Sequence, residues 1–185
     1  MKTKTKFLAV DIAECALFVV LMVAAAYIQI PFPLVPLTFQ TVISVLAGLL
    51  LGWKKGTISM AVYCFSGLVG LPVFAAGGGI AYVLKPSFGY ILGFIASAMT
   101  AGLIAGKPDL PAWRYIVAAL AAFFADYAVG IPYCIAAAHF LGVDDLLKLL
   151  LTGNLVYMPK DAALSILAAM LAKTVLPVIN KRKNR

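Results

Sequence analysis

Residues 63–94 read YCFSGLVGLPVFAAGGGIAYVLKPSFGYILGF and join two apolar runs through a loop rich in glycine and proline. Gly67, Gly70 and Pro72 predict the end of one helix, and the triple glycine at 77–79 admits backbone conformations that other residues avoid. Non-helical backbone at membrane depth is tolerated only where protein or a water-filled cavity surrounds it. We therefore expect this segment to form a wall of a binding site.

The composition is that of an integral membrane protein. Of 185 residues, 64% are hydrophobic and 12% are charged, and the mean hydropathy is +1.03. The net charge of +8 falls in short clusters between apolar runs, where cations orient a membrane protein, so nucleic acid is not an expected partner. The three cysteines are Cys15, Cys64 and Cys134. They lie inside apolar runs without metal-ligand spacing, so we expect no disulfide, metal site or cofactor.

Six apolar runs predict the transmembrane helices of one all-α bundle. They occupy residues 13–30, 38–52, 56–71, 88–105, 113–141 and 159–179. Gly130-Ile131-Pro132 interrupts the fifth run, where we expect a kink. Residues 144–151 predict a short surface helix. The composition does not shift along the chain, so residues 1–185 are expected to form a single domain.

The basic residues predict the orientation of the bundle. Of the 15 Lys and Arg residues, 12 lie on the side of the termini and of the loops at Lys54 and Lys107. The other side holds Lys85, Lys148 and Lys160. The positive-inside rule therefore predicts cytoplasmic termini, external proline-rich and glycine-rich loops, and a multi-pass protein in the lipid bilayer of the plasma membrane.

Lys160 and Asp161 are the most informative polar pair. Pro159 is a typical helix-start residue, which places Asp161 in the first turn of the last helix, where amides and a carboxylate present an organised polar surface. Two solvated interfacial residues are the alternative interpretation.

Further candidates for a binding site are polar or aromatic residues near the same face. Their alternative roles are helix capping for Thr38 and anchoring at the membrane interface for the aromatic residues. The candidates are Thr38, Gln40, Lys85, Asn154, Tyr82, Tyr90, Tyr157, Phe32 and Phe74.

Asp126 lies near the middle of the fifth run, and an intramembrane carboxylate indicates a functional site by default. The alternative is that neighbouring groups satisfy it inside the bundle. His139, the one histidine of the sequence, is expected at the interface rather than in a catalytic role.

Four motifs together resemble the BioY family, the biotin-binding membrane subunits (S components) of energy-coupling-factor transporters. They are PFPLVPLTFQ at 31–40, LAGLLLG at 46–52, the glycine loop followed by GYILGF at 89–94, and PKD at 159–161. The resemblance implies a subunit that captures biotin from outside and works with a transmembrane coupling protein and two cytoplasmic ATPases. The sequence has no phosphate loop of the GxxxxGK[ST] type, so the ATPase activity is expected in other chains.

The resemblance also implies roles for individual residues. Asp161 is expected to accept the ureido N–H groups of biotin. The lysine that the family usually carries one turn later is replaced here by Leu164, so Lys160 or Lys85 would bind the carboxylate of biotin.

The first helix carries small residues at a spacing of three to four, which permits close helix contact. The resemblance implies that this face meets the coupling protein, and packing within the bundle is the alternative. The residues are Ala13, Ala16, Val20 and Ala24.

Other functions remain open at this stage: an S component for another vitamin, a self-sufficient secondary transporter, or a small membrane enzyme. The sequence shows no internal repeat of broken helices and no nucleophile-base or metal-ligand set, which disfavours the last two.

Overall fold

The computed structural model describes residues 9–31, 35–106, 111–143, 145 and 154–183, with side chains up to residue 179. Its helices are α1 (Ala9–Tyr27), α2 (Gln40–Leu68), α3 (Phe88–Ala105), α4 (Ala112–Phe140) and α5 (Met158–Lys183). These five, among the described residues, are long and apolar enough to cross a membrane. The prediction of an all-α membrane fold is confirmed. The predicted surface helix at 144–151 lies outside the described residues except for Asp145.

Three short elements complete the fold. Strands β1 (Gln29–Ile30) and β2 (Leu37–Thr38) pair in antiparallel register. A single 3-10 helix spans Ile80–Leu84 and leads into α3. The strand pair connects α1 to α2 over the same end of the bundle at which the glycine loop leads toward α3.

Helix α2 is a hairpin of two arms, 40–51 and 53–68. Gly52 has φ 77° and ψ 169°, a conformation outside the helical region and accessible almost only to glycine. Gln40 Nε2 lies 2.6 Å from the Tyr63 hydroxyl although 23 positions separate the residues, whereas a straight helix would hold them about 35 Å apart. The two arms therefore run back along each other.

Small residues hold the arms and their neighbours close. A Cβ atom at Gly56 would lie 2.9 Å from the Ala47 carbonyl oxygen, and one at Gly48 would collide with the backbone of Ala98 in α3. Because glycine lacks this atom, the backbones approach closely enough for dense packing in a helix bundle.

Helix α4 runs as one helix with Pro132 inside it, as the single fifth run implies, and the kink at residues 130–132 stays a prediction. Gly130 also has a packing role. A Cβ atom at this position would lie 2.6 Å from the ring of Tyr90. The glycine admits the Tyr90 ring of α3 against the backbone of α4.

The glycine loop folds back onto the end of α2. Gly70, Gly77 and Gly79 have φ values of 106°, 103° and 99°, and Gly79 N donates a 2.7 Å hydrogen bond to Gly67 O. Phe74 fills the space inside the loop, since a Cβ atom at Gly67 would overlap its ring. The Phe74 ring centroid lies 5.5 Å from that of Tyr63, 4.6 Å from that of Tyr82 and 6.5 Å from that of Phe88. The loop is therefore packed around Phe74 and its aromatic neighbours.

Helix α1 packs through Cys15, Phe18, Met22, Ala25 and Ala26. Its first turns are tied to α2 because Lys55 Nζ lies 2.9 Å from Asp11 Oδ1 and also pairs with Glu14.

The opposite face of α1 points out of the bundle. It carries the predicted docking residues, all exposed: Ala13, Ala16, Val20 and Ala24. This face therefore does not pack against the described residues of the bundle, which was the alternative interpretation.

Candidate functional site

A cavity lies between the strand pair, the 3-10 helix and the nearby ends of the helices. Its cavity volume is about 50 Å³, and it is open on one side. Its walls combine apolar and aromatic surfaces with a few polar groups, which is the usual composition of a small-molecule site. It is lined by Val35, Pro36, Leu37, Thr38, Gln40, Thr41, Ala75, Tyr82, Ser87, Tyr90, Ile91, Phe94, Tyr127, Tyr157, Lys160 and Asp161.

Asp161 is a buried carboxylate in the wall of this cavity. It lies in the first turn of α5, as predicted. Its Oδ2 accepts a 2.7 Å hydrogen bond from the Tyr127 hydroxyl. Its Oδ1 is 2.8 Å from Lys160 Nζ, an ion pair, but accepts no hydrogen bond from the described residues. One carboxylate oxygen is therefore held by the protein while the other keeps acceptor capacity.

Lys160 connects the start of α5 to the strand pair. Its ammonium group donates a 2.5 Å hydrogen bond to Thr38 O and lies 5.7 Å from the ring centroid of Phe39. The ammonium group thus reaches across the cavity mouth from α5 to β2, in contact with the Asp161 carboxylate.

Tyr157 forms a second connection across the cavity. Its hydroxyl donates a 3.0 Å hydrogen bond to Val35 O, although 122 positions separate the residues. Burial raises the pKa of the Tyr157 hydroxyl above its ordinary value, with a smaller contribution from Cys134, so it stays a neutral donor. Tyr157 and Lys160 therefore hold the backbone of Val35 and of Thr38 at the cavity.

Tyr90 and Gln40 are polar groups that the bundle already orients. The Tyr90 hydroxyl hydrogen-bonds to Asn154 Oδ1, and its ring meets that of Tyr127 edge-on at 5.5 Å. Gln40 donates to Tyr63, whose own hydroxyl donates to Val73 O at 3.1 Å. These contacts fix the side chains before any ligand arrives.

Most of the site residues predicted from the sequence come together here. Those that line the cavity are Asp161, Lys160, Tyr90, Gln40, Thr38, Tyr82 and Tyr157. Their roles in ligand binding stay predictions. Thr38 Oγ1 also accepts a long 3.5 Å hydrogen bond from Gln40 N, which is a weak form of the capping role considered above.

Three predicted residues that the structure describes do not line it. Asn154 is buried behind Tyr90, and Phe74 is buried behind Tyr82. Lys85 is exposed, with its ammonium group 4.7 Å from the Tyr82 ring centroid and 3.1 Å from Ala76 O. Phe32 lies outside the described residues.

Sequence reasoning missed three polar residues of the cavity wall: Thr41, Ser87 and Tyr127. Thr41 and Tyr127 directly follow the candidates Gln40 and Asp126, and this adjacency was their only signal. Ser87 precedes the first residue of α3 and had no such signal. That Tyr127 reaches Asp161 depends on how α4 packs against α5.

Asp126 and His139 lie outside the cavity wall. Asp126 is 0% exposed, and neither of its carboxylate oxygens accepts a hydrogen bond from the described residues, so neighbouring groups do not satisfy it as the simpler alternative proposed. His139 is exposed in the last turn of α4.

Comparison with known proteins gives consistent matches. The family model for the BioY family matches residues 1–181. A probable biotin transporter BioY of Lysinibacillus sphaericus is 39% identical over 171 residues, which cover 91% of this chain and 87% of the relative. The biotin transporter BioY of Thermotoga maritima is 34% identical over 163 residues, covering 88% of this chain and 93% of the relative.

A solved structure is also similar to this chain. It is a crystal structure of the S-component for biotin from an ECF-type ABC transporter, with a TM-score of 0.76 and 24% identity, covering 95% of this chain and 94% of that chain. The likeness establishes that the two proteins share a fold.

Proposed function

The chain belongs to the BioY family, and on that premise we propose that it captures biotin as the substrate-binding subunit of an energy-coupling-factor transporter. Membership of this family makes it a multi-pass protein of the cell membrane and a transporter rather than an enzyme. Biotin uptake is the activity that the names of its relatives support.

One observation supports biotin as the ligand more than any other. Asp161 lines the cavity, and its buried Oδ1, paired with Lys160, accepts no hydrogen bond from the described residues. The ureido ring of biotin presents N–H donors, and a carboxylate acceptor in a dry site makes the stronger, charge-assisted kind of hydrogen bond with such donors. The Tyr127 hydroxyl holds the carboxylate in place for this contact.

Lys160 is the proposed partner of the biotin carboxylate. Leu164 occupies the position one turn after Asp161, so the α5 face offers no cation there. Among the described residues, Lys160 is the one cation in the cavity wall, whereas Lys85 is exposed outside it. The thiophane ring and aliphatic chain would pack against the apolar and aromatic walls.

The topology completes the proposal. Because the arms of α2 run back along each other from Gly52, we infer that each arm crosses the bilayer, which gives six crossings in one domain, residues 1–185. Both termini then lie on the side of the Gly52 turn. The distribution of cations supports a cytoplasmic location for that side and an external mouth for the cavity.

The connector between β1 and β2 acts as a lid over bound biotin in this proposal. Tyr157 holds the connector at Val35, just before β2, and Lys160 holds β2 itself at Thr38. Breaking these two contacts would open the mouth. The exposed small residues of α1 supply the proposed contact with the transmembrane coupling protein, whose two cytoplasmic ATPases provide the energy.

Uptake of labelled biotin by proteoliposomes tests this function. The protein alone should bind biotin without sustained uptake, while the protein assembled with a coupling protein and two ATPases should import it when ATP is supplied. ATP-independent uptake by the protein alone would identify a self-sufficient carrier instead. Import of a different vitamin in preference to biotin would identify an S component of another specificity.

A further inference from the structure

Asp126 is a second buried carboxyl group, and the proposed biotin site does not use it. It lies in the middle of α4 with 0% exposure and is not part of the cavity wall. Both of its oxygens lack a hydrogen-bond donor among the described residues. An ionised carboxylate buried without donors or a counter-ion costs far more free energy than the neutral acid in the same place.

The neighbouring helix is built to accept this side chain. A Cβ atom at Gly93 of α3 would collide with Asp126 Oδ1 and with the Asp126 carbonyl oxygen. Glycine at this position therefore lets the carboxyl group lie directly against the backbone of α3. The contact excludes water from that side of the group.

The charged and titratable groups near Asp126 come from three helices. Tyr90 of α3 and Tyr127 of α4 are neutral hydroxyl groups in electrostatic contact with it. Asp161 and Lys160 of α5 interact with it as well. Among the described residues, α2 contributes no titratable group that interacts with Asp126.

Lys160 stabilises a negative charge on Asp161 more than one on Asp126. Its ammonium group is 2.8 Å from Asp161 Oδ1 and donates to Thr38 O, and Asp161 also receives the Tyr127 hydroxyl. Two carboxylates in one dry region cannot both be ionised at low cost, and the negative charge stays on the one that has the cation and the donor. That residue is Asp161.

We propose that Asp126 is a proton-binding site, and that its proton keeps Asp161 as the single negative charge beside bound biotin. The proton site itself follows from the surroundings of Asp126 alone, whereas its effect on biotin rests on the proposed function. Loss of the proton would put a second negative charge next to the site. A ligand with a carboxylate would then be repelled, and affinity would fall as the pH rises through the titration of Asp126.

Infrared spectroscopy of the protein without ligand tests the proton site. At neutral pH the wild-type protein should show the carbonyl stretch of a buried, protonated carboxylic acid. The band should be lost in Asp126→Asn and retained in Asp161→Asn and in Asp145→Asn, the same change at an exposed position. Absence of the band in the wild type, or its loss in Asp161→Asn, would overturn the proposal even if Asp126→Asn failed to fold.

Biotin titrations at neutral and alkaline pH test the linkage. The wild-type protein should lose affinity several-fold between the two, because an ionised Asp126 repels the ligand carboxylate. Asp126→Asn cannot ionise and should show a clearly smaller loss. Equal pH dependence of biotin affinity in the wild type and in Asp126→Asn would overturn the proposed effect of the Asp126 proton on biotin binding. Failure to bind biotin at any pH would instead refute the proposed function and leave the infrared result standing.

Discussion

The Tyr127 hydroxyl donates a 2.7 Å hydrogen bond to Asp161 Oδ2, although 34 positions separate the residues. The contact joins the middle of α4 to the first turn of α5 and fixes the orientation of the carboxylate. The other oxygen, Oδ1, lies 2.8 Å from Lys160 Nζ, and Asp161 lines the cavity. A ligand with two N–H donors and a carboxylate of its own would find an acceptor and a cation side by side.

Asp161→Asn should weaken biotin binding while keeping the shape of the side chain. Loss of a charge-assisted hydrogen bond in a dry pocket costs roughly 1.5–3 kcal/mol, or about ten- to hundredfold in affinity. Tyr127→Phe is the matched control, since it removes the donor but leaves the carboxylate, and it should cost less. If folded Asp161→Asn binds biotin as the wild type does, Asp161 has only a role at the start of the helix.

Biotin should protect the connector from chemical modification. Val35 is buried and its carbonyl oxygen accepts from Tyr157, so a cysteine at this position should react with a water-soluble thiol reagent several-fold more slowly when biotin is bound. Leu84→Cys, at a position that is 71% exposed, is the control and should react equally fast with and without biotin. The native cysteines are buried, so their background should be low. Equal rates at Val35→Cys with and without biotin would argue against a lid.

The Gly52 turn and the glycine loop should lie on opposite sides of the membrane. Lys54→Cys, at an exposed position beside the turn, should be labelled by an impermeant reagent from the cytoplasmic side. Leu84→Cys should be labelled from outside. Labelling of both from one side, or of Lys54→Cys from neither, would contradict six crossings with cytoplasmic termini.

Substitutions on the exposed face of α1 should separate docking from folding. Ala16→Trp and Ala24→Trp should leave biotin binding by the isolated protein nearly intact and weaken its co-purification with the coupling protein and ATPases, since a bulky side chain holds the helices apart. Ala26→Trp is the control on the buried face of α1, at a position with 0% exposure. This substitution should disrupt the bundle itself. Loss of biotin binding in Ala24→Trp would place that face in the core.

The sequence predicts the apolar elements well because their signals are local. The run at 88–105 coincides with α3, and the runs at 113–141 and 159–179 begin within one residue of α4 and α5. The reversal inside α2 is also a local signal, since LLLGWKK places a glycine and then an aromatic residue and two cations after an apolar run. Only its geometry, a positive φ at Gly52, needed the structure.

Long-range contacts are what the sequence cannot supply. Gly130, two residues before Pro132, predicts a kink, but the sequence does not show that this glycine also admits the Tyr90 ring. Tyr127 joins the cavity wall because of the way α4 packs against α5. Such outcomes depend on contacts between residues tens of positions apart.

Titration of the purified protein with biotin, thiamin and riboflavin by calorimetry tests the central claim most directly. The account predicts tight, saturable binding of biotin at one site per chain and negligible heat from the other two vitamins. Equal binding of all three vitamins, or of none, would contradict the claim that this cavity is a biotin site.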